Sequence, residues 1–264
     1  MARRAALFLA ALSVAACDRP PLAWQEAMRA PRAPGPAWRL AVDAHGQPAL
    51  GTAPTVPFVA PPGACATSVV FTRAGGGVWF VAWWQPRADS SAQLLVSRSA
   101  NGGATWSAPA VADGRDRSPL GCARPHPSIA ADSATGAVHL AYFVVPQQGA
   151  GVWYVHSPDA GASWRGATGV FYGTDPAAAD VAVRGDTVLV AYEYPDADDA
   201  RIGVALSYTA GRDFPVHMPV SPGTERAADP RAALGAGTAA VAWVAGGRDA
   251  AATVVDIAAL GGGT

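Results

Sequence analysis

The chain has 264 residues, half of them hydrophobic, and a formal net charge of −1. This length is sufficient to bury a full hydrophobic core, and the nearly neutral charge argues against nucleic acid or an anionic surface as a partner. Glutamate is scarce, since only Glu26, Glu193 and Glu225 are present, which restricts any mechanism that needs a glutamate carboxylate.

The first sixteen residues are predicted to be an export signal rather than part of the fold. Arg3 and Arg4 precede an apolar run, residues 5–16, that is too short to span a bilayer. The run ends directly before Cys17 and resembles the lipobox of bacterial lipoproteins, although an ordinary signal peptide with a chance cysteine is the alternative. A lipidated Cys17 would anchor the exported protein to a membrane, facing the periplasm or the cell exterior.

The next segment, residues 17–37, is rich in proline and is predicted to be a tether between the membrane and the domain. A β-hairpin is predicted to begin at Trp38, because an apolar stretch is followed by turn-forming residues from Asp43 to Gly46. Residues 38–264 are then predicted to form one propeller domain.

A short motif that begins with serine and ends with an aromatic residue sets the fold. It occupies residues 99–106, 157–164 and, in a degraded form, 207–214, so the aromatic positions are 58 and 50 residues apart. Short apolar strands surround each copy, and helical periodicity is absent. This combination predicts an all-β propeller of four-stranded blades.

The motif resembles the Asp box of the sialidase superfamily. That resemblance implies a sialidase-like propeller with six blades in the full protein. About four to five blades are visible here, so we expect the sequence to be truncated at its C-terminus.

The Asp-box residues are predicted to be structural. Asn101 or Asp159 would accept hydrogen bonds from backbone N–H groups two or three residues on, and the box glycines would supply a positive φ. The aromatic residues would fill the gaps between neighbouring sheets. The predicted structural set is Ser99, Asn101, Gly103, Trp106, Ser157, Asp159, Gly161 and Trp164.

Only part of the sialidase catalytic pattern is present. The resemblance places Arg87 at one of the family's substrate-binding arginines and makes Asp89 the candidate acid/base. His126 stands where the family has its catalytic glutamate, and another family arginine is missing from residues 65–70. Two functions therefore stay open: a non-catalytic binding propeller, and an exo-α-sialidase-type glycosidase acting on sialic acid or a related acidic sugar.

A binding site is predicted at the mouth of the central channel. The inner strands of successive blades begin there, near X-Pro sequences, and side chains from different blades converge. Besides Arg87, the predicted ligand-binding residues are His126, Asp175, Glu225, Asp229 and Arg231, and the ligand would be a glycan or an envelope protein. The alternative is that each aspartate before proline only caps a turn. The sequence contains no metal or cofactor motif, so we expect neither.

Two of the three cysteines are predicted to form a disulfide. Cys65 and Cys122 precede the inner strands of adjacent blades, and export would place them in an oxidising compartment. Two buried thiols are the alternative.

Overall fold

The computed structural model of the protein describes residues 22–30, 38–196, 199–246 and 252–260, and strands dominate these residues. The predicted signal peptide and Cys17 lie outside the described residues. The strands are β1 (Leu22–Trp24), β2 (Met28–Ala30), β3 (Trp38–Val42), β4 (Pro48–Thr52), β5 (Val70–Arg73), β6 (Trp79–Pro86), β7 (Ala92–Ser99), β8 (Ala110–Asp113), β9 (Ser128–Ala131), β10 (Val138–Val144), β11 (Gly151–Ser157), β12 (Thr168–Tyr172), β13 (Ala179–Arg184), β14 (Thr187–Asp196), β15 (Asp199–Ser207), β16 (Val216–Pro219), β17 (Ala227–Gly235), β18 (Thr238–Ala245) and β19 (Ala252–Leu260).

These strands form antiparallel sheets that follow the predicted repeat. Blade 1 contains β5 to β8, blade 2 contains β9 to β12, and blade 3 contains β13 to β16. Blade 4 is built from β17, β18 and β19 and is completed by β1 and β2, which both pair with β19. The strands β3 and β4 form a two-stranded sheet, here called the hairpin blade, with its turn at residues 43–47 as the sequence predicts.

The pairing of β1 and β2 corrects the prediction of a tether for residues 17–37. Within that segment, residues 22–30 supply the outer edge of blade 4. The physical reason is burial, because Leu22 is almost fully enclosed and packs with Trp24 into the core between blades 3 and 4. A proline-rich composition therefore concealed two short strands, of which β1 supplies the buried Leu22.

The hydrophobic cores lie between neighbouring blades rather than within one layer. Separate clusters join blade 1 to blade 2, blade 2 to blade 3, blade 3 to blade 4, and blade 4 to the hairpin blade. Large side chains such as Trp84, Tyr142, Tyr154 and Trp243 fill these interfaces. Blades 2, 3 and 4 thus bury both of their faces, as the wedge-shaped arrangement of a propeller requires.

The inner strands β5, β9, β13, β17 and β3 follow one another around a central axis. Polar contacts join them near that axis: Ser128 donates to Asp180 at 2.5 Å, and the Ala232 N–H donates to the same carboxylate at 2.8 Å. Arg39 donates to the carbonyl of Phe71 at 2.6 Å and so joins the hairpin blade to blade 1. The described residues therefore fill five successive positions around this axis.

Candidate binding site at the mouth of the central channel

Strands β3, β13 and β17 begin at the same end of the ring, and their first residues surround the channel mouth. Asp229 is the centre of this cluster. Its Oδ2 accepts a hydrogen bond from Trp38 Nε1 at 2.7 Å, and its Oδ1 accepts one from Arg231 at 2.6 Å. Its backbone N–H donates to Glu193 at 2.7 Å. One aspartate therefore connects the hairpin blade, blade 4 and blade 3.

Asp229 also has an unusual backbone conformation. Its φ is +56°, in the left-handed region that residues other than glycine rarely occupy, and it precedes Pro230 at a β-bulge in the β17–β18 pairing. Such a conformation costs about 1–3 kcal/mol and persists only where the surrounding contacts impose it. Here the contacts of Asp229 with Trp38, Arg231 and Glu193 impose it. Strain of this kind is concentrated at functional sites in proteins.

Glu193, on β14, holds the start of β13 against blade 4. Its Oε2 accepts the N–H of Ala178 at 3.0 Å, while its Oε1 accepts the N–H of Asp229. Beside it lies a cleft of about 250 Å³, lined by Asp175, Pro176, Ala177, Glu193, Tyr194, Pro195, Asp199 and Ala200. Asp175 is exposed and Tyr194 is partly exposed, so both are accessible from this cleft.

Two arginines lie beneath the mouth. Arg231 is buried, donates to the carbonyl of Trp38 at 2.9 Å, and places its guanidinium 4.9 Å from the centre of the Trp38 ring. Burial lowers the pKa of Arg39, and nearby Arg231 lowers it further, while Asp180 raises it. The two arginines thus lie close together, with Asp229 paired to Arg231 and Asp180 near Arg39.

The structure separates the predicted site residues into two groups. Asp175, Asp229 and Arg231 lie together at the mouth with Glu193. Glu225 lies apart from this cluster, because its carboxylate pairs with Arg29 of β2. The binding role of these residues stays a prediction.

The remaining candidates lie in two loops: Arg87 and Asp89 in the loop between β6 and β7 of blade 1, and His126 in the segment that joins blades 1 and 2. The Arg87 guanidinium donates to the carbonyls of Gly114 and Asp116, at 2.5 and 3.3 Å, so it holds a loop. Asp89 caps a turn, because its Oδ1 accepts the hydroxyl and the N–H of Ser91. These two hydrogen bonds lower the pKa of Asp89. His126 is partly exposed, and its Nδ1 lies 3.2 Å from the carbonyl of Pro127.

A buried ion pair fixes the same loops. Arg124 and Asp116 are 2.8 Å apart, and both side chains are almost completely enclosed. Cys65 and Cys122 are joined by a disulfide, with their Cα atoms 5.3 Å apart. These links attach the segment before β9 to blade 1.

The Asp boxes lie away from the mouth, in the hairpins between the third and fourth strands of blades 1 to 3. In the second box, Asp159 accepts from the N–H and hydroxyl of Ser163, while the Gly161 N–H donates to Ser157. The N–H that donates to Asp159 is that of Ser163, four residues along the chain, further than the predicted two or three. Each box rests on the preceding blade or segment, and Phe214 contacts Tyr154 with ring centres 5.0 Å apart.

Sequence reasoning did not assign a site role to Trp38, Arg39, Asp180 or Glu193. The signal available for Glu193 was its position at the end of an apolar strand in a chain with three glutamates. Trp38 carried no such signal, because its partner Asp229 is 191 residues away.

Among the described residues, no cluster of three or more His, Cys, Asp or Glu side chains could hold a metal ion. None of the described residues belongs to a helix that is long and apolar enough to span a bilayer.

No family model matches the chain, and no curated protein sequence matches it. Solved structures do match. A Dyadobacter fermentans protein of unknown function has a TM-score of 0.53 at 16% identity, covering 72% of this chain and 52% of that one. The fold is a blade-based β-propeller.

Two further matches are to enzymes. A Hadza microbial sialidase has a TM-score of 0.47 at 15% identity, covering 67% of this chain and 41% of that one. A family 117 glycoside hydrolase from Zobellia galactanivorans has a TM-score of 0.44 at 14% identity, covering 66% and 61%. This chain therefore spans less than two thirds of the length of each of the three structures.

Proposed function

We propose that the protein is an exported lipoprotein whose propeller binds a glycan at the channel mouth. The observation that carries this proposal is the cleft beside Glu193, which is lined by the exposed Asp175 of the loop before β13 and by Tyr194 of β14. Carboxylates accept hydrogen bonds from sugar hydroxyls, and an aromatic face supports the apolar face of a sugar ring. Convergent polar groups in a concave pocket are typical of a ligand site.

The contacts of the candidate catalytic residues support binding rather than sialidase-type hydrolysis. An acid catalyst needs a raised carboxyl pKa, whereas that of Asp89 is lowered. Glu193 and Asp229 are both engaged in holding strands together.

A glycan array probed with the mature protein tests this proposal. We expect binding to at least one glycan class, and a loss of at least tenfold in affinity for Asp175→Ala. Asp186→Ala is the matched control, because Asp186 is also exposed and lies at the opposite end of the β13–β14 hairpin. Equal affinities for the two variants would contradict a site at this mouth.

A fluorogenic sialoside separates the two candidate functions. Binding without turnover is expected. Turnover that disappears in Asp89→Ala would instead support the exo-α-sialidase alternative, with an acidic sugar as the substrate.

The membrane anchor is part of the same proposal and has its own test. Cells grown with an alkynyl fatty acid should label the wild-type protein and not the Cys17→Ser variant, because only a lipidated cysteine carries acyl chains. Equal labelling of the two proteins would contradict the anchor.

A further inference from the structure

The N-terminal strand β1 enters blade 4 at the end opposite to the channel mouth. Leu22 of β1 pairs with Leu260 at the C-terminal end of β19. The Leu260 N–H donates to the carbonyl of Gly237, in the β17–β18 turn, at 3.0 Å. Asp229, which marks the mouth, lies near the start of β17, at the other end of the same strand. The chain therefore joins the propeller at the end of blade 4 that is furthest from the mouth.

The Asp boxes lie at this same end, here called the base of the propeller. The box N–H of Gly102 donates to the carbonyl of Gly77, before β6, at 3.2 Å. The box N–H of Ala210 donates to the carbonyl of Asp186, in the β13–β14 turn, at 2.8 Å. Because the inner strands begin at the mouth, the turns that follow them lie at the base. The chain thus enters beside the boxes and reaches the mouth at Trp38.

The connection between Cys17 and this entry point is short. Leu22 is only 2% exposed and packs into the core between blades 3 and 4, so its position on the blade is defined by burial. Five residue steps separate the two positions in the sequence, and a fully extended chain spans about 18 Å over that number of steps. Acyl chains on Cys17 would therefore keep the base of blade 4 within about 18 Å of the membrane surface.

The height of blade 4 exceeds this reach. Strand β19 has nine residues, and its two ends are about 26 Å apart at about 3.3 Å per residue. If the mouth faced the bilayer, Leu22 would lie about 26 Å from the lipid headgroups, further than the chain from Cys17 can extend. Chain length alone therefore excludes a lipidated protein whose mouth is directed at its own membrane.

The exposed charges favour the same orientation. At the base, exposed arginines offset exposed aspartates: Arg73, Arg165, Arg184 and Arg212 against Asp43, Asp159, Asp186 and Asp213. At the mouth, the cleft is lined by the carboxylates of Asp175, Glu193 and Asp199. Anionic headgroups repel carboxylates and attract arginines, so the base approaches a bilayer surface at a lower electrostatic cost than the mouth does.

We infer that the short connection from Cys17 holds the base of blade 4 against the lipid headgroups and directs the channel mouth away from the bilayer. The inference depends on the proposed acylation of Cys17 and adds an orientation to it. Its consequence concerns the ligand of the cleft beside Glu193. That ligand must come from the solution or from a surface facing the membrane, because headgroups of the membrane that anchors the protein lie beyond the reach of the mouth.

Energy transfer to labelled lipids tests this orientation with the full-length lipoprotein. The protein is reconstituted in vesicles of phosphatidylethanolamine and phosphatidylglycerol that contain a rhodamine-labelled lipid. Ala236→Cys places a donor fluorophore at the base, and Thr224→Cys places it in the loop before β17, at the mouth; both positions are exposed. The native Cys65 and Cys122 are joined in a disulfide, so the introduced thiol is the one that is labelled.

We expect at least about twofold more energy transfer from the base label than from the mouth label, because the strand between them is about 26 Å long. Insertion of about twenty Gly and Ser residues before Leu22 is the matched control, because the longer connection exceeds the height of the blade and should reduce the difference. Equal transfer from the two labels, or more from the mouth label, overturns the inference, as does a difference that the insertion leaves unchanged. A protein that takes up no alkynyl fatty acid overturns the anchor itself, so the two failures are distinguishable.

Discussion

The buried ion pair between Asp116 and Arg124 should dominate the stability of the loops that support the channel mouth. The Asp116 carboxylate accepts Arg124 at 2.8 Å, the N–H of Ala92 at 3.0 Å and the N–H of Val145 at 3.1 Å. It also accepts the hydroxyl of Ser118 at 3.0 Å. One carboxylate therefore connects blade 1, blade 2 and the loop between them.

We expect Asp116→Ala to lower the free energy of unfolding by about 3–5 kcal/mol, because the Arg124 charge would stay buried without its partner. The N–H groups of Ala92 and Val145 would also lose their acceptor, although such losses do not add in full. For a protein of this size the loss corresponds to a fall in Tm of roughly 6–20 °C.

The same carboxylate should contribute to stability in acid. Burial raises the pKa of Asp116, but hydrogen bonds from Val145 and Arg124 outweigh it, so the pKa is lowered overall. A lowered pKa contributes stability above the pKa of the unfolded state, and this stability is lost as the pH falls through the folded pKa. The free energy of unfolding of Asp116→Ala should therefore decrease less than that of the wild type as the pH falls into the acid range.

Urea denaturation followed by tryptophan fluorescence measures both effects. Asp89→Ala is the control, because Asp89 caps a similar turn in the same region but is exposed, and its stability should match the wild type. A loss for Asp116→Ala below about 1 kcal/mol would refute the assignment of this ion pair as the main link between the loops.

Three further predictions follow from other contacts. Trp164→Ala should lower the free energy of unfolding, measured by urea denaturation, by about 2 kcal/mol. This loss is smaller than for a fully buried tryptophan, because Trp164 packs on the blade 1–2 core but is partly exposed. A stability equal to wild type would contradict the packing role of the box. Peptide mapping without reduction should recover Cys65 and Cys122 as one cross-linked peptide; two alkylatable thiols in the denatured, unreduced protein would contradict the disulfide, whose loss should cost roughly 4 kcal/mol. Burial lowers the pKa of His139 to about 4, with a further contribution from His156. Between pH 6.5 and 4 the His139 side chain binds a proton in the unfolded chain but not in the folded one, so the free energy of unfolding should fall by at most about 3 kcal/mol over this range. The His139→Leu variant should not show this part of the pH dependence.

Local patterns predicted the repeating parts of the fold. The box residues Ser157, Asp159 and Gly161 interact with one another within eight residues of sequence, so their geometry could be inferred from the motif. The strands before each box could also be predicted locally, because each is a short run of apolar residues. The turn after Trp38 was predictable because Asp43 accepts hydrogen bonds from backbone groups two and four residues along the chain.

The site depended on contacts that no local pattern contains. Asp229 and Arg231 could be placed at a strand start from their neighbouring proline, but the contact of Asp229 with Glu193 is 36 residues distant in sequence. Arg231 was predicted to bind ligand, and the structure buries it against Trp38, 193 residues away. Whether a charged group is available to a ligand depends on such partners.

The sequence alone therefore determined the repeat, the strand type and the positions of the box turns, because these result from interactions between near neighbours. Only the tertiary structure decided that residues 22–30 complete blade 4, that the hairpin blade takes the fifth position in the ring, and which charges remain accessible. Those outcomes depend on the free energy gained when surfaces distant in sequence bury one another. The composition of a single segment does not show which surface will cover it, which is why a proline-rich segment concealed two strands.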